Sequence, residues 1–182
     1  MPIEIEKKYR LNEEQRTAVI KRLAEIGADH SGEEFEENTL FGSRIIDLGN
    51  SVLRLRRTKS SCVLTQKQRL PGESAIKYQQ ENETLVDDGD AMAAILAGLG
   101  FSPTLIYEKF RDTWRIDDVE VVVDRLPFGL FMEIEGSESS IKEMEENLQI
   151  TELEPEHLTY PALTRLHGKV SGDLVASRFE NS

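Results

Sequence analysis

The sequence is most readily bounded by what it has little of. A single cysteine, Cys62, rules out an internal disulfide and agrees with a reducing compartment. No apolar run is long enough to cross a bilayer, because the longest, 91–101, spans only 11 residues. No basic, apolar, small-residue signal opens the chain, so a cytoplasmic protein is expected, with no membrane partner. Basic residues are outnumbered, 22 against 34 acidic, giving a net charge of -12. That balance argues against a protein whose main partner is a nucleic-acid backbone, which calls for a basic surplus. It leaves a local basic cleft open. Repeats and low-complexity segments are also missing.

What remains is a soluble globular composition, 38% hydrophobic and 31% charged, over 182 residues, enough to bury one core. A helix is predicted from the Asn12 cap to Gly27, with Val19, Ile20, Leu23 and Ile26 as its buried stripe. A second is expected at 90–100, and two more at about 138–148 and 155–167. Between them lie eight short alternating segments: 3–11, 38–43, 51–58, 61–68, 75–86, 105–116, 119–126 and 130–137. Hairpin strands with a few helices make an α+β domain. The acidic stretches 32–38, 87–90 and 137–156 read as solvated loops and helix faces, and the residues from 169 to 182 as a flexible tail on a domain of residues 1–168.

The strands share an unusual property. Successive strand side chains alternate faces, so in IEIEKKYRL the residues Glu4, Glu6, Lys8 and Arg10 stand opposite Ile3, Ile5, Tyr9 and Leu11. The same split sets Arg54 with Arg56, Lys109 with Arg111 and Arg115, and Glu133 with Glu135. Lys67, Glu81, Glu83 and Asp124 extend the set. Any one pair could be an exposed cross-strand ion pair contributing little. Collectively, the charges are sorted, with acids on the first and last strands and bases on those between. If the sheet curls with its ionic faces inward, the lining holds a carboxylate cluster and a basic cluster. The first suits a hard cation such as Mg²⁺ or Mn²⁺. The second suits a polyanion, since forked guanidinium groups match phosphate. A metal-bound triphosphate satisfies both.

At these residues the sequence resembles the CYTH superfamily, the triphosphate tunnel metalloenzymes, which include class IV adenylyl cyclases and thiamine triphosphatases. IEIEKK resembles the ExExK signature; LRLR, the lysine of LTQK, EKFR as KxR, and VVVDRLPFGLFMEIEG follow in order, and LTYPALTRL resembles the closing helix. The resemblance implies an eight-stranded antiparallel β-barrel with flanking helices. It implies metal ligation by Glu4, Glu6, Asp124, Glu133 and Glu135. It implies triphosphate binding by Lys8, Arg54, Arg56, Lys67, Lys109 and Arg111, with Lys8 and Glu81 as catalytic candidates. Homodimer formation is left open. Two departures stand out: Gln79 and Gln80 replace an arginine found in many relatives, and Met1 and Pro2 replace the His-Phe pair that often precedes ExExK in class IV cyclases. A triphosphatase is therefore the first expectation and an adenylyl cyclase the second. A non-catalytic nucleotide- or polyphosphate-binding module is disfavoured, because simple polyanion binding needs the bases but not the carboxylates. Arg57, Arg69, Arg125 and the three histidines read as structural or surface residues, and Trp114 and Phe131 as packing.

Overall fold

The computed structural model describes residues 3–44, 51–69 and 77–180, and the side chains of Ile3, Glu4, Arg69, Lys77, Tyr78 and Gln79 lie outside that description. The strands are β1 (Ile3–Leu11), β2 (Asp29–Ser43), β3 (Ser51–Arg57), β4 (Cys62–Arg69), β5 (Lys77–Leu85), β6 (Phe101–Ile116), β7 (Val119–Leu126), β8 (Gly129–Glu135), β9 (Lys169–Ser171) and β10 (Leu174–Ser177). The helices are α1 (Glu13–Glu25), α2 (Gly89–Gly98), α3 (Glu138–Leu148) and α4 (Tyr160–His167). The sheet order is β2-β3-β4-β5-β1-β8-β7-β6, and β6 also pairs with β2. All eight neighbouring pairs are antiparallel, so the sheet curls back on its first strand and encloses a tunnel. This is the expected α+β architecture.

The helices start where the sequence provides caps. Asn12 and Gln15 form a reciprocal capping box on α1, and Ser137 caps α3. Gly27 and Gly100, both at positive φ, turn the chain out of α1 and α2 into the two long strands β2 and β6. The apolar stripes of α1 and α3 pack onto the outer face of β1, β7 and β8, burying Val19, Leu23, Ile141 and Met144 against Tyr9, Val121, Met132 and Ile134. A smaller cluster under α2 joins Leu96 to Phe41 and Leu55. Helix α4 behaves differently: its Tyr160 and Leu163 reach Leu40, Tyr107, Leu126 and Phe131, so it covers one end of the inner face.

Three expectations are corrected. The acidic stretch 32–38 is no solvated loop; it belongs to β2, because it finds the basic stretch of β6 as its cross-strand partner, with Glu34 opposite Arg111 and Glu36 opposite Lys109. The last helix begins at Tyr160 rather than 155. Pro155 bridges to Tyr9, the Glu156 amide donates to the Lys8 carbonyl, and Thr159 then caps a helix with a proline in its first turn. The segment 169–177, read as tail, forms β9 and β10, and β10 lies parallel to the part of β6 that β7 leaves uncovered, residues 105–107. The predicted start of the fifth strand at 75–76 lies outside the described residues.

Leu23 is fully buried beneath α1 and far from the charged face. Leu23→Ala is expected to destabilise the protein by about 2–5 kcal/mol in urea unfolding, with the transition remaining cooperative.

Candidate active site

The strand registers set the inner face in rows. Glu6 stands opposite Glu135, and Lys8 opposite Glu133. Glu135 in turn faces Glu120, so three carboxylates occupy one row across β1, β8 and β7. On the other side Lys67 faces Glu81 and Arg54 faces Thr65. The enclosed cavity measures about 790 Å³. Among the described residues its walls carry six acids (Glu6, Glu81, Glu83, Glu120, Glu133, Glu135) and six bases (Lys8, Arg54, Arg56, Lys67, Lys109, Arg111).

Nine of these charges, together with Glu36 and Asp124, form one continuous alternating chain. Lys67 Nζ lies 2.7 Å from Glu81, and Arg54 contacts both Glu81 (3.6 Å) and Glu83 (3.4 Å). Arg56 joins Glu83 (3.3 Å) to Glu36 (3.7 Å), and Lys109 joins Glu36 to Asp124, both at 3.3 Å. Arg111 donates Nε to one Asp124 oxygen at 2.8 Å and Nη2 to the other at 2.6 Å, with Nη2 also reaching Glu133 at 2.7 Å. Lys8 completes the chain, 3.1 Å from Glu133 and 3.7 Å above the Tyr160 ring. Such sharing is how buried charges escape the penalty of an unpaired ion.

Asp124 is the most enclosed member, with no exposure at all. Besides Arg111 and Lys109 it accepts the Tyr160 hydroxyl at 2.7 Å. Burial, and then the negative charges of Asp124 and Glu133, push the Tyr160 phenol well above its usual value, so it stays a donor. Burial, reinforced by Arg111, draws Lys109 below an ordinary lysine despite Asp124, Glu36 and Glu133. Glu36 shows the reverse balance: burial alone would raise it, but Lys109, Arg111, Arg56 and Arg54 outweigh burial and bring it to about 2.

The structure brings together most of the residues expected from sequence. Glu6, Glu133, Glu135, Lys8, Arg54, Arg56, Lys67, Lys109, Arg111 and Glu81 all line the cavity. Glu4 pairs through its backbone with Gln79, its side chain lying outside the description. Asp124 sits behind the wall, its oxygens engaged by Arg111, Lys109 and Tyr160. The residues set aside as structural lie elsewhere: Arg57 bonds Gly89 and Asp90, Arg125 stacks on Phe110 and Phe179, and His30 stacks on Trp114. Sequence reasoning missed Glu36, Glu120, Tyr107 and Tyr160. Glu120 shares the parity of Asp124 in VEVVVD and was readable there; Glu36 was hidden by the loop reading of its segment, and nothing local marks Tyr160.

A divalent cation would find a partial donor set here. Among the described residues, no three His, Cys, Asp or Glu side chains converge into a ready cage. The facing pair Glu6 and Glu135 nevertheless suits an ion that takes one or two carboxylates and completes its shell with phosphate oxygens and water, the usual habit of Mg²⁺. On the basic side, Arg54 Nε and Arg56 Nε are buried with no hydrogen-bond partner among the described residues. Buried donors of this kind are rare unless an acceptor is meant to reach them.

Glu36 makes the stability of the fold depend on pH. Its folded value, about 2, lies below the ordinary 4.5. Its contribution to stability is therefore fully present above about pH 4.5 and lost as pH falls toward 2. Over that window the stability of Glu36→Gln should fall less steeply than that of wild type, as read by urea midpoints at a series of pH values.

Comparison with known proteins agrees with this geometry. The CYTH domain family model matches residues 2–164. A protein of Methanocaldococcus jannaschii named "Putative adenylate cyclase" is 28% identical over 151 residues, which cover 81% of this chain and 84% of that protein. The PH1012 protein of Pyrococcus horikoshii superposes with a TM-score of 0.74 at 24% identity, covering 86% of this chain and 96% of that one. A Hippeastrum protein, described as a "putative adenylyl cyclase" with a dominant triphosphatase activity, superposes with a TM-score of 0.70 at 20% identity, covering 93% of this chain and 98% of its own. The curled eight-stranded sheet, its sorted inner charges and a family match over nearly the whole length meet in one conclusion: this chain belongs to the CYTH domain family.

Proposed function

We propose that the tunnel binds a metal-bound triphosphate and hydrolyses a phosphoanhydride bond of it. The observation that carries this reading is the cavity lining, in which a row of carboxylates (Glu6, Glu135, Glu120) stands beside a basic wall from β3, β4 and β6, with two buried guanidinium N–H groups lacking acceptors among the described residues. A simple polyanion site would be served by the bases alone. A lining that carries both signs favours a ligand that is itself anionic along one stretch and cationic at another.

In this reading Lys8, Arg54, Arg56, Lys67, Lys109 and Arg111 grip the phosphate oxygens, the arginines through forked donors that match phosphate geometry. Glu6, Glu133 and Glu135, with Glu4, would hold Mg²⁺ or Mn²⁺, which when bound neutralises charge on the phosphate oxygens and polarises the bond to be broken. Asp124 is better assigned as the buried counter-ion that fixes Arg111 and Lys109 than as a ligand, because its oxygens are already engaged. Lys8 lies beside Glu133 where the acidic and basic groups meet and can orient an attacking water. Phosphoryl transfer asks mainly for such positioning and charge neutralisation.

Adenylyl cyclisation is the second reading, favoured by the name of the M. jannaschii relative. The same cradle would serve if a ribose 3′-hydroxyl, rather than water, attacked the α-phosphorus. No helix among the described residues is long and apolar enough to cross a membrane, and membrane attachment has no part in either reading.

Phosphorus NMR of the protein incubated with ATP, GTP, thiamine triphosphate or tripolyphosphate, plus Mg²⁺ or Mn²⁺, discriminates them. Orthophosphate release is the expected result; pyrophosphate with cyclic AMP would establish the cyclase, and inertness of the whole panel would remove the enzyme reading.

The two groups of charges should also separate under mutation. Arg56→Ala, which removes a charged hydrogen-bond donor, should weaken triphosphate use by about 10–100-fold in kcat/KM. Glu133→Gln should depress activity by at least about tenfold and recover in part with excess Mn²⁺, a rescue that Arg56→Ala should not show.

A further inference from the structure

Glu36 belongs to neither group. It is 3% exposed and absent from the cavity wall, yet it touches two of the bases that line it. Its Oε2 lies 3.3 Å from Lys109 Nζ and its Oε1 3.7 Å from Arg56 Nη1, so one carboxylate spans the cross-strand gap between β6 and β3 from behind. Asn38, two residues on and fully buried, donates its Nδ2 to the same Oε2 at 3.3 Å. Lys109 is thereby held between two buried carboxylates, Glu36 on β2 and Asp124 on β7. Arg56 is held between Glu36 and the cavity-facing Glu83.

The arrangement contains a choice. Glu83 is 42% exposed at its side chain and lies on the cavity side, where an incoming phosphate could take its place. Glu36 is enclosed and cannot yield its position to a ligand in the cavity. When an anion displaces the exposed partner, Arg56 and Lys109 remain aimed by the enclosed one.

We infer that Glu36 is a positioning residue for triphosphate, a fixed rear counter-ion that aims Lys109 and Arg56 into the tunnel. The inference rests on the triphosphate reading of the site. It makes a prediction opposite in sign to simple electrostatics. A negative charge near a polyanion site weakens binding if it is a bystander, so removing it should tighten the complex. If it aims two bases, removing it should loosen the complex, because both must then be ordered at the moment of binding.

The test is calorimetric binding of inorganic tripolyphosphate, first in EDTA and then with Mn²⁺, to wild type, Glu36→Gln and Glu36→Asp. Wild type should bind. Glu36→Gln should bind about tenfold more weakly in both conditions, as expected for loss of one charge-assisted contact. Glu36→Asp, which keeps the charge but withdraws it from both bases, should also bind more weakly, whereas a bystander charge would leave it unchanged. The apparent affinity for Mn²⁺ at saturating tripolyphosphate should stay at the wild-type value in both variants, a split that general unfolding would not produce. If Glu36→Gln does not fold, the Asp variant carries the comparison. Tighter or unchanged binding by the variants, with wild type binding normally, overturns the inference alone. Absence of any tripolyphosphate heat from wild type overturns it together with the triphosphate reading.

Discussion

A charge taken out of water must be paired, and the structure of the tunnel follows from that constraint. Eleven ionic side chains, from Lys67 around to Lys8, are linked so that Arg54, Arg56, Lys109 and Arg111 each touch two acids. No single pair would justify the arrangement, since isolated buried ion pairs are often no better than apolar residues of the same volume. Sharing changes the balance, because each desolvation penalty is set against more than one attraction. The cost is rigidity of register: slipping one strand by a residue would turn its charges to the outside.

That constraint also explains why the apolar packing lies outside. The faces of β1, β7 and β8 that turn away from the tunnel are covered by α1 and α3, and together with those helices they form the largest apolar cluster among the described residues. The inner face can stay open because the protein does not depend on collapsing it. Only toward α4 does apolar packing enter, and there Tyr160 serves both environments, its ring packing with Phe131 and its hydroxyl reaching Asp124.

How much of this was legible in the sequence depended on whether a residue's role was local. Alternation exposed the charged faces of β1, β3, β6 and β8, because Glu6, Arg54, Lys109 and Glu133 repeat at a spacing of two within segments rich in strand formers. It failed in β2. Four glutamates and a glycine look like loop, and strand propensity there is weak; tertiary pairing with Lys109 and Arg111 overrides it. Glu36 was lost for that reason. Tyr160 was lost for another: its partner Asp124 is 36 positions away, and nothing in a helix sequence marks a hydroxyl aimed at a distant carboxylate. The roles of Glu6 and Asp124 looked alike in sequence, both acids on inner faces, and only depth distinguishes the one on the wall from the one behind it.

The seam between β2 and β6 has a consequence for how the chain is made. The two strands lie several tens of positions apart, so β2 emerges from the ribosome well before its partner exists, by several seconds at about 5–20 residues per second. A bare strand edge left waiting is an invitation to the wrong neighbour. The glutamates at 33, 34, 36 and 37 load that edge with like charge, which disfavours pairing with a second copy of itself, and β6 answers the two central ones, with Arg111 opposite Glu34 and Lys109 opposite Glu36. The acidity that disguised β2 as loop is thus also a guard on an edge whose own partner is made late.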